Sequence, residues 1–134
     1  MKLVFYTANC IGNAKNCSYP NRFEVTNAEE LKEVVRFDHV CAEYKSNYRS
    51  SENFIESVVL VMDCDNDHTD NPDEWVTFEK LDNMFPDVSY AIAASRNHMK
   101  QKDDKSARPR FHVYFLIHPC TDPIKYTELK RKIQ

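Results

Sequence analysis

The sequence predicts a single α/β domain in which helices pack on a mixed β-sheet. Three apolar runs have the length and the β-branched content of strands, namely SVVLVMDC, VSYAIAAS and RFHVYFLI. Three further segments place apolar residues behind a residue that can cap a helix. The chain has 134 residues, and two cores in this length would each be marginal, so we expect residues 1–134 to form one domain.

The amino-terminal part is expected to contain a strand, a loop and a helix. KLVFYT at residues 2–7 indicates a short strand, and residues 8–21 are rich in turn-forming residues. Thr26 can cap a helix together with Glu29, three residues later. The apolar stripe of this helix leads toward Cys41 and consists of Leu31, Val34 and Val35.

The central part is expected to contain a buried strand and a second helix. SVVLVMDC, residues 57–64, is continuously apolar until its acidic end, which indicates a strand buried on both faces. Asn71 before Pro72, with Glu74 at the third helical position, predicts the start of a helix that Pro86 ends. Apolar residues recur along it at helical spacing, at Trp75, Phe78, Leu81 and Met84.

The carboxyl-terminal part is expected to contain two strands and a last helix. The strands occupy residues 88–95 and 110–117, and the polar, basic segment 96–109 separates them. The helix begins after Thr121 or Asp122 and continues to the end of the chain. The predicted order is strand, helix, strand, helix, strand, strand, helix.

The composition excludes two classes of nucleotide-binding protein and restricts how the chain could bind nucleic acid. The only glycine is Gly12, which excludes the glycine-rich loops of dinucleotide-binding and P-loop proteins. The formal net charge is -3, so any contact with nucleic acid must use a local basic patch. The stretch from Arg96 to Arg110 provides such a patch, with six basic against two acidic side chains.

Cysteine usage and hydropathy indicate a cytoplasmic protein. The five cysteines are an odd number without CxxC spacing, which fits free thiols better than a disulfide framework. A metal site of Cys10 and Cys17 with Cys41 or His39 is a minor alternative. No stretch has the length and apolarity of a bilayer span or a secretory signal, so no membrane partner is expected.

Two carboxylates end the central strand. Asp63 and Asp65 project to the same side, and Cys64 points to the other. They repel each other unless a cation lies between them, and the end of a buried strand is the usual place of an α/β active site. The pattern therefore favours a divalent-metal site over a solvated turn.

Two other cation motifs compete for this acidic turn. An EF-hand loop matches at all of its ligand positions, which are Asp63, Asp65, Asp67, Thr69, Asn71 and Glu74. Against it, His68 stands where that loop needs glycine, and a strand rather than a helix precedes the turn. The DxDx(T/V) motif of haloacid dehalogenases is weaker still, because Asp67 stands where it needs threonine or valine.

A basic, histidine-bearing mouth is expected beside the carboxylates. The residues that can converge there from two strand ends are Ser95, His98, Arg108, Arg110 and His112. Arginine donates in pairs to phosphate oxygens, and histidine can donate to a phosphate or act as a general acid. This favours an anion site over a solvated basic loop, and His39 and Arg49 are weaker candidates for the same cleft.

The two segments together resemble the archaeo-eukaryotic primase superfamily, in particular the primase-polymerases of plasmids, phages and integrated mobile elements. That superfamily has a hydrophobic strand that ends in DxD or DxE, and VLVMDCD with Asp63 and Asp65 matches it. Its second motif is of the Ser-x-His type at the entry to an apolar strand. His112 before VYFL matches that motif, with Arg110 in the place of serine. Ser95 with His98 is the competing placement, one residue too widely spaced.

The resemblance implies an RRM-like core and a DNA primase or polymerase, a nucleotidyltransferase that serves DNA replication. The implied catalytic residues are Asp63, Asp65 and His112, the first two as ligands of Mg²⁺ or Mn²⁺. The implied nucleotide-binding residues are Ser95, His98, Arg108 and Arg110. The implied partners are nucleoside triphosphates, a single-stranded DNA template and a helicase domain or protein.

The third motif of that superfamily is a carboxylate on a later strand, and no residue after Phe115 supplies one in an apolar context. We therefore expect residues 1–134 to be the amino-terminal part of a catalytic domain and to be inactive alone. The alternative is a non-catalytic module that binds nucleotides or nucleic acid on the same scaffold. A calcium-binding protein is the lesser alternative.

Overall fold

The computed structural model describes residues 1–133, and these form two β-sheets and three α-helices. The first sheet has the strand order β2-β1-β3, with β1 at Leu3–Thr7, β2 at Asn21–Val25 and β3 at His39–Val40. The second has the order β4-β5-β7-β6, with β4 at Ala42–Tyr44, β5 at Phe54–Cys64, β6 at Tyr90–Ala94 and β7 at Phe111–Cys120. The helices are α1 at Ala28–Val34, α2 at Phe78–Met84 and α3 at Pro123–Ile133. The predicted α/β fold class is confirmed.

The predicted mixed sheet is wrong, because every strand pair in residues 1–133 is antiparallel. Three short strands, β2, β3 and β4, were not predicted. Their sequences, NRFEV, HV and AEY, contain no continuous apolar run, and β2 is mostly exposed. The antiparallel arrangement also changes the expected position of the site. The carboxyl end of β5 now lies beside the amino end of β7.

The first helix begins one residue later than predicted. Asn27 is its N-cap, and the Asn27 side chain accepts a hydrogen bond from the backbone N–H of Glu30. The hydroxyl of Thr26 instead donates to the Glu30 carboxylate at 2.7 Å. The Asn27 side chain thus satisfies a backbone N–H at the helix start that would otherwise lack a partner.

The second helix begins six residues later than predicted. Asn71 caps a 3-10 turn at Pro72–Glu74, and α2 starts separately, behind Thr77. The hydroxyl of Thr77 accepts from the backbone N–H of Lys80 at 3.3 Å. Proline after asparagine is as compatible with a single turn as with a long helix. The pattern therefore located the start of a helical turn at Asn71 but could not give the length of that turn.

The strand β5 is the centre of the fold and is covered on both faces, as predicted. On one face it packs into a core with β1 and α1, through Val59, Leu3, Phe5, Leu31 and Tyr114. On the other it packs into a core with α2, through Leu60, Met62, Leu81, Phe111 and Phe115. No helix within residues 1–133 has both the length and the apolarity to cross a membrane.

Candidate functional site

The pairing of β5 with β7 brings a carboxylate and an imidazole together. Asp63 is the direct cross-strand partner of His112, so both side chains project from the same face of the sheet. His112 Nε2 lies 3.5 Å from Asp63 Oδ1. Ser95 follows β6 on the other side of β7, and its Oγ lies 3.5 Å from His112 Nδ1. Both distances are at the outer limit of hydrogen bonding, so His112 is close to both partners without being held firmly by either.

The second predicted metal ligand, Asp65, directly follows the end of β5 at Cys64. Its Oδ1 accepts a hydrogen bond from the backbone N–H of Asp67 at 2.9 Å, which closes a tight turn. Arg110 precedes His112 by two residues and lies opposite Asp65, and its Nη1 donates to the Asp65 carbonyl at 3.2 Å. Asp63 and Asp65 are both exposed, as ligands of an incoming ion must be.

Arg110 is buried beneath the acidic turn. Its side chain is 3% exposed, and Nη1 donates to Asp67 Oδ1 at 2.6 Å. Partial desolvation raises the pKa of Asp67, but the hydrogen bond from Arg110 and the nearby positive charges lower it further, so the net pKa is below the usual range. The Nε and Nη2 atoms of Arg110 have no hydrogen-bond partner within residues 1–133. The guanidinium thus has donors left over after it has bound the turn.

Arg108 is fully buried, and all of its donors are used inside the protein. Nη1 donates to the carbonyls of Asn66 and Thr69 at 2.9 and 2.8 Å. Nη2 donates to Asp70 Oδ1 and Ser106 Oγ, and Nε donates to the Ser106 carbonyl. An arginine has five N–H groups, so none remains for a phosphate. The predicted phosphate role of Arg108 is therefore not favoured, and the structure uses this residue to fix the turn.

His98 is also placed away from the carboxylates. Its Nδ1 accepts from the backbone N–H of Arg110 at 3.1 Å, so a neutral His98 carries its proton on Nε2. Its ring stacks on Phe78 at 5.6 Å between centroids, and Phe78 contacts the edge of Phe111. Phe111 points to the face opposite His112, since they are neighbours in β7. The phosphate role of His98 remains a prediction that this position does not favour.

A half-buried histidine and a buried tyrosine support the site from below, and the sequence had indicated only the histidine, weakly. His39 Nδ1 lies 2.8 Å from the carbonyl of Phe37, which can only accept, so Nδ1 donates. His39 Nε2 consequently accepts from the hydroxyl of Tyr114 at 2.8 Å. Burial lowers the pKa of His39 and raises that of Tyr114. Tyr114 shares a face of β7 with His112, which places a neutral, rigid pair beneath the predicted catalytic histidine.

Asn66 organises the turn and was missed in the sequence. It is 2% exposed and has φ 57°, a left-handed conformation that asparagine adopts more readily than most residues. Its side chain accepts from the N–H of Val76 and donates to the carbonyls of Val76 and Pro109, all at 2.8–2.9 Å. The only available signal was an asparagine between two aspartates, which is typical of many turns.

The carboxylates fit a divalent cation only in part. Within residues 1–133, no group of three or more His, Cys, Asp or Glu side chains is arranged to hold a metal ion. Asp63 and Asp65 share an exposed face, and two carboxylates with water and substrate phosphates are a ligand set that Mg²⁺ commonly takes. The pair therefore fits an ion that draws its remaining ligands from outside these residues.

The EF-hand alternative fits less well. Asp67 is bound to Arg110, and the side chain of Asn71 caps the 3-10 turn. The carbonyl of Thr69, which an EF-hand needs as a ligand, already accepts from Arg108 and from Trp75 Nε1. Arginine side chains thus take the interior positions that a calcium ion would need.

No protein-family model, curated protein or solved structure matches the chain. The likeness to primases therefore depends on the two sequence motifs alone.

Proposed function

We propose that this chain is part of a cytoplasmic, metal-dependent nucleotidyltransferase of the primase-polymerase kind, which serves DNA replication of a plasmid, phage or mobile element. The observation that carries the proposal is the register of β5 and β7. It pairs Asp63 with His112, and just beyond the paired residues Arg110 Nη1 donates to the Asp65 carbonyl. A carboxylate that can bind a divalent ion thus lies beside an imidazole that can donate to phosphate.

Each residue has a physical role in this proposal. Asp63 and Asp65 would hold Mg²⁺ or Mn²⁺, which supplies positive charge where the phosphoryl oxygens gain negative charge. His112 is partly exposed beside Asp63, and a ring N–H of the imidazole can donate to phosphate oxygens. Ser95 lies near the other ring nitrogen and is a positioning residue for His112.

The substrates and partners follow from the same proposal. Nucleoside triphosphates would bind at His112, a single-stranded DNA template would lie alongside, and a helicase domain or protein would supply unwound DNA. Water and the phosphates of the substrate would complete the ligand set of the ion at Asp63 and Asp65.

Binding of Mn²⁺ and of a fluorescent deoxynucleoside triphosphate to the 134-residue chain tests the proposal. We expect nucleotide binding that requires Mn²⁺, and we expect the double variant Asp63→Asn, Asp65→Asn to lose both. Asp87→Asn is the matched control, since Asp87 is an exposed carboxylate in the loop before β6. His112→Gln should weaken nucleotide binding and leave Mn²⁺ binding intact.

Three outcomes would contradict the proposal. Mn²⁺ affinity that is unchanged in the double variant would remove the metal site. Nucleotide binding that ignores Mn²⁺ would favour the non-catalytic module. Binding of Ca²⁺ that excludes Mg²⁺ and ignores nucleotides would favour the calcium-binding alternative.

A further inference from the structure

Several positive charges converge on one carboxylate, that of Asp67. Arg110 Nη1 donates to Asp67 Oδ1 at 2.6 Å, and Lys105 Nζ donates to the Asp67 carbonyl at 3.3 Å. Lys102 pairs with Lys105 through two backbone hydrogen bonds in a tight turn, and its charge also acts on Asp67. A cluster of this kind is a site for an anion, and here a residue of the protein fills it.

The carboxylate does not satisfy the cluster. Arg110 is 3% exposed, yet its Nε and Nη2 have no hydrogen-bond partner within residues 1–133. Buried donors without partners are rare in folded proteins and require an explanation. A carboxylate that contacts a single guanidinium nitrogen uses less of the fork than a phosphate can, because a phosphate presents three oxygens to it.

Asp67 is the more accessible side chain in its ion pair with Arg110. The Asp67 side chain is 27% exposed, whereas Arg110 is almost entirely buried. Arg110 would stay in place without Asp67, because its Nη1 also donates to the Asp65 carbonyl and its backbone N–H donates to His98. The carboxylate is thus the movable member of the pair.

We propose that Asp67 occupies the place of a phosphate group on Arg110, and that a polyphosphate displaces Asp67 and binds Arg110, Lys102 and Lys105 in its stead. The proposal rests on the proposed function for the source of the polyphosphate, a nucleoside triphosphate. Asp67 then acts as a built-in competitor that weakens the binding of phosphates to the open site.

Binding of inorganic tripolyphosphate, measured by calorimetry in the presence of EDTA, tests this without a metal ion. We expect Asp67→Asn to bind tripolyphosphate about tenfold more tightly than the wild type, a change of about 1.4 kcal/mol. Asp103→Asn is the matched control, because Asp103 is an exposed carboxylate in the Lys102–Lys105 turn, and it should change the affinity by less than about twofold. Equal or weaker binding by a folded Asp67→Asn variant would overturn the proposal.

A second variant decides the question even if Asp67→Asn does not fold. Lys102 is exposed, so Lys102→Gln should fold normally and weaken tripolyphosphate binding about threefold or more. Unchanged affinity in Lys102→Gln would overturn the proposal. Asp67→Asn is also compared with the wild type for single-stranded oligothymidylate, and tighter binding of DNA without tighter binding of tripolyphosphate would exclude the polyphosphate.

This result is separable from the metal-dependent function. If Asp63→Asn, Asp65→Asn abolishes Mn²⁺ binding while Asp67→Asn gains no affinity for tripolyphosphate, the competitor role fails and the metal site stands. If Asp67→Asn gains affinity while the double variant keeps its Mn²⁺ binding, the anion site stands and the metal site fails.

Discussion

Replacement of Arg108 by methionine separates a structural arginine from a phosphate-binding one. Methionine has a similar length and fills most of the volume, so the substitution chiefly removes the five N–H donors. In the structure three of these donors bind the acidic turn, at Asn66, Thr69 and Asp70, and the other two bind Ser106. We expect Arg108→Met to destabilise the fold.

The magnitude follows from the partners that Arg108 leaves behind. The carbonyl of Asn66, a residue that is 2% exposed, loses its donor, at a cost of about 1–3 kcal/mol. The carbonyl of Thr69 keeps its bond from Trp75 Nε1, so its loss is smaller. The Arg108 guanidinium also lies 5.1 Å from the centre of the Trp75 ring, a contact that contributes about 0.5–2 kcal/mol. Ser106 and Asp70 are exposed and regain water. The sum is about 1.5–5 kcal/mol.

Thermal unfolding measures this loss. For a domain of this size, about 3 kcal/mol corresponds to a Tm lower by roughly 10 °C. Lys100→Met is the control, because Lys100 is an exposed basic residue of the same segment and should leave the Tm within about 2 °C. An Arg108→Met variant with an unchanged Tm but weakened tripolyphosphate binding would refute the structural role.

Three further predictions concern buried polar groups. Burial lowers the pKa of His39 in the folded state, so only the unfolded state gains its proton as the pH falls below about 6.5, and stability should decline there. His39→Gln should flatten that decline in urea titrations at pH 7.5 and 5.5. Asn66→Ala removes three buried hydrogen bonds and a favourable left-handed residue, and should lower the free energy of unfolding by about 2–4 kcal/mol in the same assay. Cys41 is 4% exposed and burial raises its pKa, so mass spectrometry should find it unmodified by iodoacetamide until urea unfolds the chain, and rapid native labelling would contradict this.

The strands that carry the core could be predicted, and the strands that carry little of it could not. β5, β6 and β7 are apolar runs, and the prediction located all three. β2 and β4 are held mainly by pairing with a more buried neighbour, which leaves no periodic signal in their own residues. The direction of pairing also depends on contacts between distant segments, and the same strand sequences suit a mixed or an antiparallel sheet.

The structure brings together those predicted site residues whose place the strands fix. Asp63 on β5 and His112 on β7 are direct cross-strand partners, so their side chains lie on the same face of the sheet. Arg108 and His98 lie in the segment between strands, where alternation gives no direction, and the structure turns both away from the carboxylates. An arginine and a histidine in this segment suit a phosphate site whether or not they face the carboxylates. Only the fold could therefore show that Arg108 and His98 do not face them.

The acidic turn shows why composition alone gave competing interpretations. A run of alternating carboxylates needs positive charge, and a metal ion and a guanidinium both supply it. Arginine supplies the positive charge for only part of this turn. Arg108 and Arg110 neutralise and fix its second half, at Asp70 and Asp67. Within residues 1–133, no arginine binds the side-chain carboxylates of Asp63 and Asp65. The repulsion between these two carboxylates remains for the proposed divalent ion to relieve. The arginines therefore do not compete with the proposed metal site, because they fix the rest of the turn and leave the pair at its first two acidic positions open.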